Sequence, residues 1–383
     1  MKKRISLIIM ACLAFSMLQG CGSKKDKKEN TEVAKTEASS TADVTEDKTT
    51  EDKTTEDKTA EDKTSDEEVA EGPTVPEKQP GHYEFKPKVC SGYMKDLFGE
   101  TMCETWYNLV DAVLAGEDTF ECPDYETYRW VMGQFPERLF PVLVDVLDYP
   151  LPEETAVIDG IAHFNYKYDH EQVLKRISDF ENMIVEILNE SMEDDYSDFE
   201  KVIALYNYFA HHYTYDYDLY ERKQAGEFVE LSSINFLDKG TGICQEISVA
   251  YSYILLQAGV EATTMSGIRG YDNMSHAWSY VKINGHEYHI DPTFVLDDNT
   301  LSYLMMNDDR RSNYDDFDRS TYRITSNYSQ DHPVPEFVAD DDKFSPIWNT
   351  KFEAIDTEKD VLYCKYIDDN GVWQNLEFDY SGY

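Results

Sequence analysis

The stretch "KGTGICQEISVAYSYILLQAG", Lys239 to Gly259, places a single cysteine, Cys244, just behind a glycine and at the opening of an apolar helix. From about Gln245 to Ala258, residues Ile247, Ala250, Tyr251, Ile254, Leu255 and Ala258 follow an i, i+3, i+4, i+7 series, and Gly259 ends it. A cysteine needed only for packing would serve as well in mid-helix. At a helix opening, unbonded N–H groups and the positive end of the dipole favour an anion, and a thiol shifts toward thiolate. Gly242 lets backbone or substrate approach the cysteine closely.

Downstream, "VEATTMSGI" reads as a strand, and "HAWSYVKINGHEYHIDPTF" as two strands joined at Asn284-Gly285. A two-residue turn there sets Ile283 opposite His286, and pairing outward sets Trp278 opposite Asp291. His276, two residues before Trp278, shares its face and becomes a diagonal neighbour of Asp291, about 7 to 8 Å away at the backbone. A slip of one residue would send the two side chains to opposite faces. The spacing therefore delivers an imidazole oriented by a carboxylate. A cysteine nucleophile, a histidine base and acid, and an orienting aspartate are the groups used for acyl transfer from amides, with the first helix amides available to an oxyanion.

Three motifs in this order carry a resemblance. Gly242 and Cys244, then His276-Ala277-Trp278, then Asp291-Pro292-Thr293, with "LYNYFAHHYTYD" upstream, resemble the core of the transglutaminase-like superfamily over roughly residues 200 to 300. The resemblance implies a papain-like fold with Cys244 as nucleophile, His276 as general base and acid, and Asp291 orienting His276. Bacterial members often follow the cysteine with Gln-Gly-Tyr, where this chain has Gln245-Glu246-Ile247. A carboxylate in that first turn would oppose thiolate formation if it faced the sulfur. The β-sandwich, β-barrels and calcium sites of the animal enzymes have no counterpart in the sequence, so no calcium dependence is expected.

Ahead of this core, from Gly81 to about Asp198, the patterns are mainly helical. "MCETWYNLVDAVLAG" spaces Trp106, Leu109, Val110, Val113 and Leu114 as one face. "HEQVLKRISDFENMIVEILNES" does so with Val173, Leu174, Ile177, Phe180, Ile184 and Leu188, and "DFEKVIALYNYFAHHYTYD" gives a third helix. Beyond Phe294 comes a polar, aspartate-rich stretch, then "DVLYCKYIDDNGVWQNLEFDY", read as a hairpin turning at Asn370-Gly371. The fold class expected is α+β: a helical region over 81–198 packing on a transglutaminase-like, papain-like core over 199–300 with a small antiparallel sheet, and a C-terminal extension over 301–383.

The first residues point to export. Lys2, Lys3 and Arg4 precede an apolar run from Ile5 to Leu18, too short to span a bilayer, and Leu18-Gln19-Gly20-Cys21 ends it. Residues 1–20 read as a signal peptide and Cys21 as a lipidated cysteine, the ending resembling the bacterial lipobox. Residues 21–80 then form a disordered tether, since "TEDKTTEDKTTEDKTAEDKT" repeats one five-residue unit and the segment has almost no large apolar side chains. A coil of that length spans roughly 40 Å. The expected location is the outer face of a bacterial cell membrane, reached through the lipid anchor alone.

Of the chain's net charge of −41, residues 81–383 carry −36. A domain so acidic repels nucleic acid and anionic surfaces. Setting aside Cys12 and Cys21 leaves Cys90, Cys103, Cys122, Cys244 and Cys364, an odd number that implies a free thiol and leaves room for one bridge among the first three. No CxxC pair is present, and His211-His212 and His286/His289 lack a third ligand, so neither metal nor cofactor is expected. These features favour a surface-anchored cysteine enzyme acting on protein or cell-wall peptide amides through a thioester, hydrolysis being preferred to cross-linking. The alternatives are a catalytically silent peptide- or glycan-binding module and a passive spacer. Oligomeric state is not encoded legibly.

Overall fold

The computed structural model describes residues 73–296, 298–324 and 337–383. The expected signal peptide, Cys21 and most of the tether lie outside them. Gly72–Tyr383 pack as one unit whose single core runs from Val89 to Tyr380.

The expected helices form where the sequence caps them. Asp169 accepts from the Gln172 N–H to open His170–Ser191, and Ser197 and Glu200 exchange side-chain and backbone bonds to open Asp198–His212. Val173, Ile177, Phe180, Ile184 and Leu188 are buried as their spacing requires, whereas Leu174 is left exposed. The region is not purely helical. Thr119–Glu121, Val157–Ile158 and Ile161–His163 form a small antiparallel sheet. Its turn, Asp159-Gly160, has both residues at positive φ (50° and 80°), the geometry that favours Asp-Gly in a two-residue hairpin.

A four-stranded antiparallel sheet positions the site. In chain order its strands are β1 (Glu261–Arg269), β2 (Ser275–Ile283), β3 (His286–Ile290) and β4 (Phe317–Arg323), and in space they run β3-β2-β1-β4. Asn284 and Gly285 take φ of 51° and 85°, Ile283 pairs with His286, and the ladder continues to Ser279 opposite Ile290. This is the register the Asn-Gly turn predicts. The C-terminal hairpin also forms, between Val361–Ile367 and Trp373–Asp379, but with a five-residue loop. Asp368 sets that loop by accepting from the Asn370 and Val372 N–H groups. Lys351–Asp356 adds a third strand beside it.

The helix Cys244–Gln257 is buried nearly all round, not on one face as its apolar spacing suggests. Its second buried side is small and polar, and it lies on the sheet. Ser248 donates to the Ala277 carbonyl (2.9 Å), Ser252 to Ser279 Oγ (2.9 Å), and Ser279 and Thr264 to the Ser248 carbonyl (3.2 and 3.3 Å). Small hydroxyl side chains let the helix approach β1 and β2 closely while every buried oxygen stays bonded. A leucine at Ser252 would overpack this seam and remove the hydrogen bond that Ser252 donates to Ser279. Ser252→Leu is expected to lower unfolding stability by about 1–3 kcal/mol, read as a fall in Tm.

Candidate active site

Glu246 organises the opening of the Cys244 helix. Its carboxylate turns back, away from the helix axis, to accept from the Ile243 N–H (3.1 Å) and the Ser232 N–H (3.0 Å). It is therefore occupied by backbone donors, and the Cys244 thiol is held below its ordinary value despite a carboxylate in the same turn. Gly242 also serves the cap. A Cβ there would fall 2.9 Å from the Phe236 ring and 3.0 Å from Glu246 Oε2, so the glycine makes room for the Glu246 cap.

Cys244 is the first residue of the helix, and the N–H groups of the first turn have no intrahelical carbonyl to bond. The His276 ring and the Ala277 amide both act on its sulfur. Burial pushes the Cys244 thiol up, but His276, the Ala277 amide and the Lys223 charge outweigh it and hold the thiol below its ordinary value. Gln245 points elsewhere, donating to Glu137 Oε1 at 3.4 Å.

His276 lies on β2 and Asp291 directly after β3. Nε2 of the ring meets Asp291 Oδ2 at 2.7 Å, which leaves Nδ1 for the sulfur. The diagonal juxtaposition follows from the hairpin register. Burial alone would lower the proton affinity of His276, yet the Asp291 carboxylate and the Cys244 sulfur raise its pKa to about 9. Asp291 has no exposed surface. Burial works against its charge, but His276, Arg311 and the Thr293 N–H (3.2 Å) hold its carboxyl below the usual carboxylate value.

Trp278 forms the floor. Its ring lies 6.3 Å from that of His276 at an interplanar angle of 24°, and its Nε1 donates to His289 Nδ1 at 2.9 Å. His289, fully buried, must then donate through Nε2 to Asp308 (3.1 Å), so it pins the indole and is no site ligand. Gly267, opposite His276 on β1, gives the indole its space, since a Cβ there would lie 2.6 Å from the Trp278 ring.

A further residue of the site is Arg311. It sits in the helix Asp308–Asp315, within the aspartate-rich stretch, and is completely buried. Its guanidinium carbon is 4.2 Å from the Trp278 ring centroid and 4.1 Å from that of Phe317, and Nη2 lies 3.1 Å from Asp291 Oδ2. No local signal in the sequence separates it from its neighbour Arg310.

The thiols differ sharply. Burial raises Cys122 to about 11 and Cys364 to about 12, while Cys90 and Cys103 are bridged. Iodoacetamide at pH 7 should therefore alkylate Cys244 at least about 100-fold faster than Cys122 or Cys364. Because the imidazolium stabilises the thiolate, lowering the pH should slow the reaction only below the depressed thiol pKa. In His276→Ala the same profile should shift upward in pH. Peptide mass spectrometry of labelling against pH reads both.

No curated protein matches the chain. A crystal structure of a TGase is 20% identical with a TM-score of 0.27, over 31% of this chain and 32% of that one. Arylamine N-acetyltransferase C of Bacillus anthracis is 13% identical with a TM-score of 0.24, over 51% of this chain and 86% of that one. The chain thus spans about a third of the length of the TGase it resembles. The family model described as the transglutaminase-like superfamily matches residues 186–292, which include Cys244, His276 and Asp291 and start somewhat earlier than the motifs alone suggest. Over residues 186–292, this chain is similar to the core of the transglutaminase-like superfamily.

Proposed function

We propose that this chain is a cysteine acyl-transfer enzyme, held at the outer face of a bacterial membrane by lipid on Cys21, that opens amide bonds in protein or cell-wall peptides. The observation that carries the reading is the His276 ring, bonded at Nε2 to Asp291 and influencing, and influenced by, the Cys244 sulfur. The Cys244 thiolate attacks the amide carbonyl carbon, and the first N–H groups of its helix face the developing oxyanion. His276 gives its proton to the leaving nitrogen as the C–N bond breaks, leaving a thioester and a neutral imidazole. A water molecule then attacks the thioester, His276 takes its proton, and Cys244 departs as thiolate. Asp291 keeps the ring oriented in both halves. Hydrolysis needs only water as acceptor, and this favours it over cross-linking.

The lipid anchor and tether are supported by the composition of residues 1–80. Among the described residues, no helix is long and apolar enough to cross a membrane. A second reading, a silent peptide- or glycan-binding module, draws on one observation: Cys244 and His276 are each only 8% exposed. Incubation with p-nitrophenyl acetate and with a peptide library separates the two. Acyl transfer predicts an acyl group on Cys244 by mass spectrometry, absent from Cys244→Ala and reduced about 100-fold or more in His276→Ala. An unmodified Cys244 under all conditions would leave the binding module.

A further inference from the structure

Arg311 has an expensive location. A guanidinium with no exposed surface forfeits its hydration, and here its Nε has no hydrogen-bond partner, while Nη2 meets Asp291 as an ion pair off hydrogen-bond alignment. Bracing alone would be served as well by an apolar side chain between Trp278 and Phe317. The same oxygen, Asp291 Oδ2, takes both His276 Nε2 at 2.7 Å and Arg311 Nη2 at 3.1 Å. Arg311 Nη1 also lies 3.4 Å from Asp315 Oδ2.

The acyl-transfer reading, on which the inference rests, makes His276 alternate between imidazolium and neutral imidazole. Without Arg311, Asp291 in the neutral half would be a buried anion with no cation against it, and the ring would tend to keep its proton. Around the pair stand Asp315, Tyr206, Tyr215 and Tyr303, with Lys223 on the Cys244 side. Of the cations in this group, only Arg311 touches Asp291. A guanidinium carries a fixed positive charge, present in every step.

We propose that Arg311 is a positioning residue that acts through Asp291: its fixed charge keeps the carboxylate ionised and aimed at His276 Nε2 while the ring passes its proton on. Removing a cation strengthens proton binding at any neighbouring site, so the His276–Asp291 pair should then release its proton at higher pH.

The test uses the full chain with Cys244→Ala, so that no thiol titrates beside the ring. The His276 Cε1–H resonance, assigned by its loss in His276→Ala, is followed by NMR against pH in this parent, in Arg311→Met and in Arg311→Lys, with melting curves for each. Arg311→Met should raise the midpoint by about one to two pH units, and Arg311→Lys should stay within about half a unit of the parent. A Met midpoint unmoved or lowered, or a Lys midpoint raised as far as Met, overturns the proposal. If Arg311→Met does not fold, Arg311→Lys decides: folded with an unmoved midpoint it supports the charge role, and unfolded or shifted it shows a requirement of shape and the proposal falls. The titration needs no turnover, so its failure stands apart from a failure to trap an acyl group on Cys244 in the parent sequence.

Discussion

The site depends on a seam of small hydroxyl side chains that joins one helix to one sheet. Ser248, Ser252, Ser279 and Thr264 remove side-chain bulk from that interface and bond one another and the adjacent carbonyls. The helix opening is thereby set beside β2, and Cys244 meets a ring carried on another element. Bulkier side chains along the seam would keep both elements intact and still separate the sulfur from the imidazole. Glu246, capping from within, and Gly242, yielding space to it, hold the helix opening in that place.

Much of this was legible where geometry is local. An Asn-Gly turn fixes its own register, and the register fixes which face each strand residue takes, so His276 and Asp291 could be brought together without knowing the rest of the fold. Helix spacing likewise foretold Ile247, Ile254 and Leu255 as buried. The sequence was silent where contacts come from distant packing. Arg311 reaches Asp291 only because β4 joins the free edge of β1 and carries the preceding helix across the site. Two neighbouring arginines in an acidic stretch give no hint of which one is enclosed. The fit of Glu246 failed to show for a related reason: its direction depends on the backbone of Ser232, fourteen residues earlier.

The small sheet at Thr119–His163 shows a third limit. Its Asp159-Gly160 turn carries a recognisable hairpin signature, but strands of two and three residues are too short to register as alternation. Among such short elements the turn residues are the only guide.

One bridge joins Cys90 to Cys103, and the other cysteines among the described residues are all buried. Thiol–disulfide exchange begins with a thiolate that can reach a bridge sulfur. Cys122 and Cys364 are held protonated by their apolar surroundings, and the sulfur of Cys244 is engaged by His276 and Ala277. Among the described residues, two of the three free thiols are thus poor attackers of the bridge, and Cys244 alone carries the thiolate character that exchange requires.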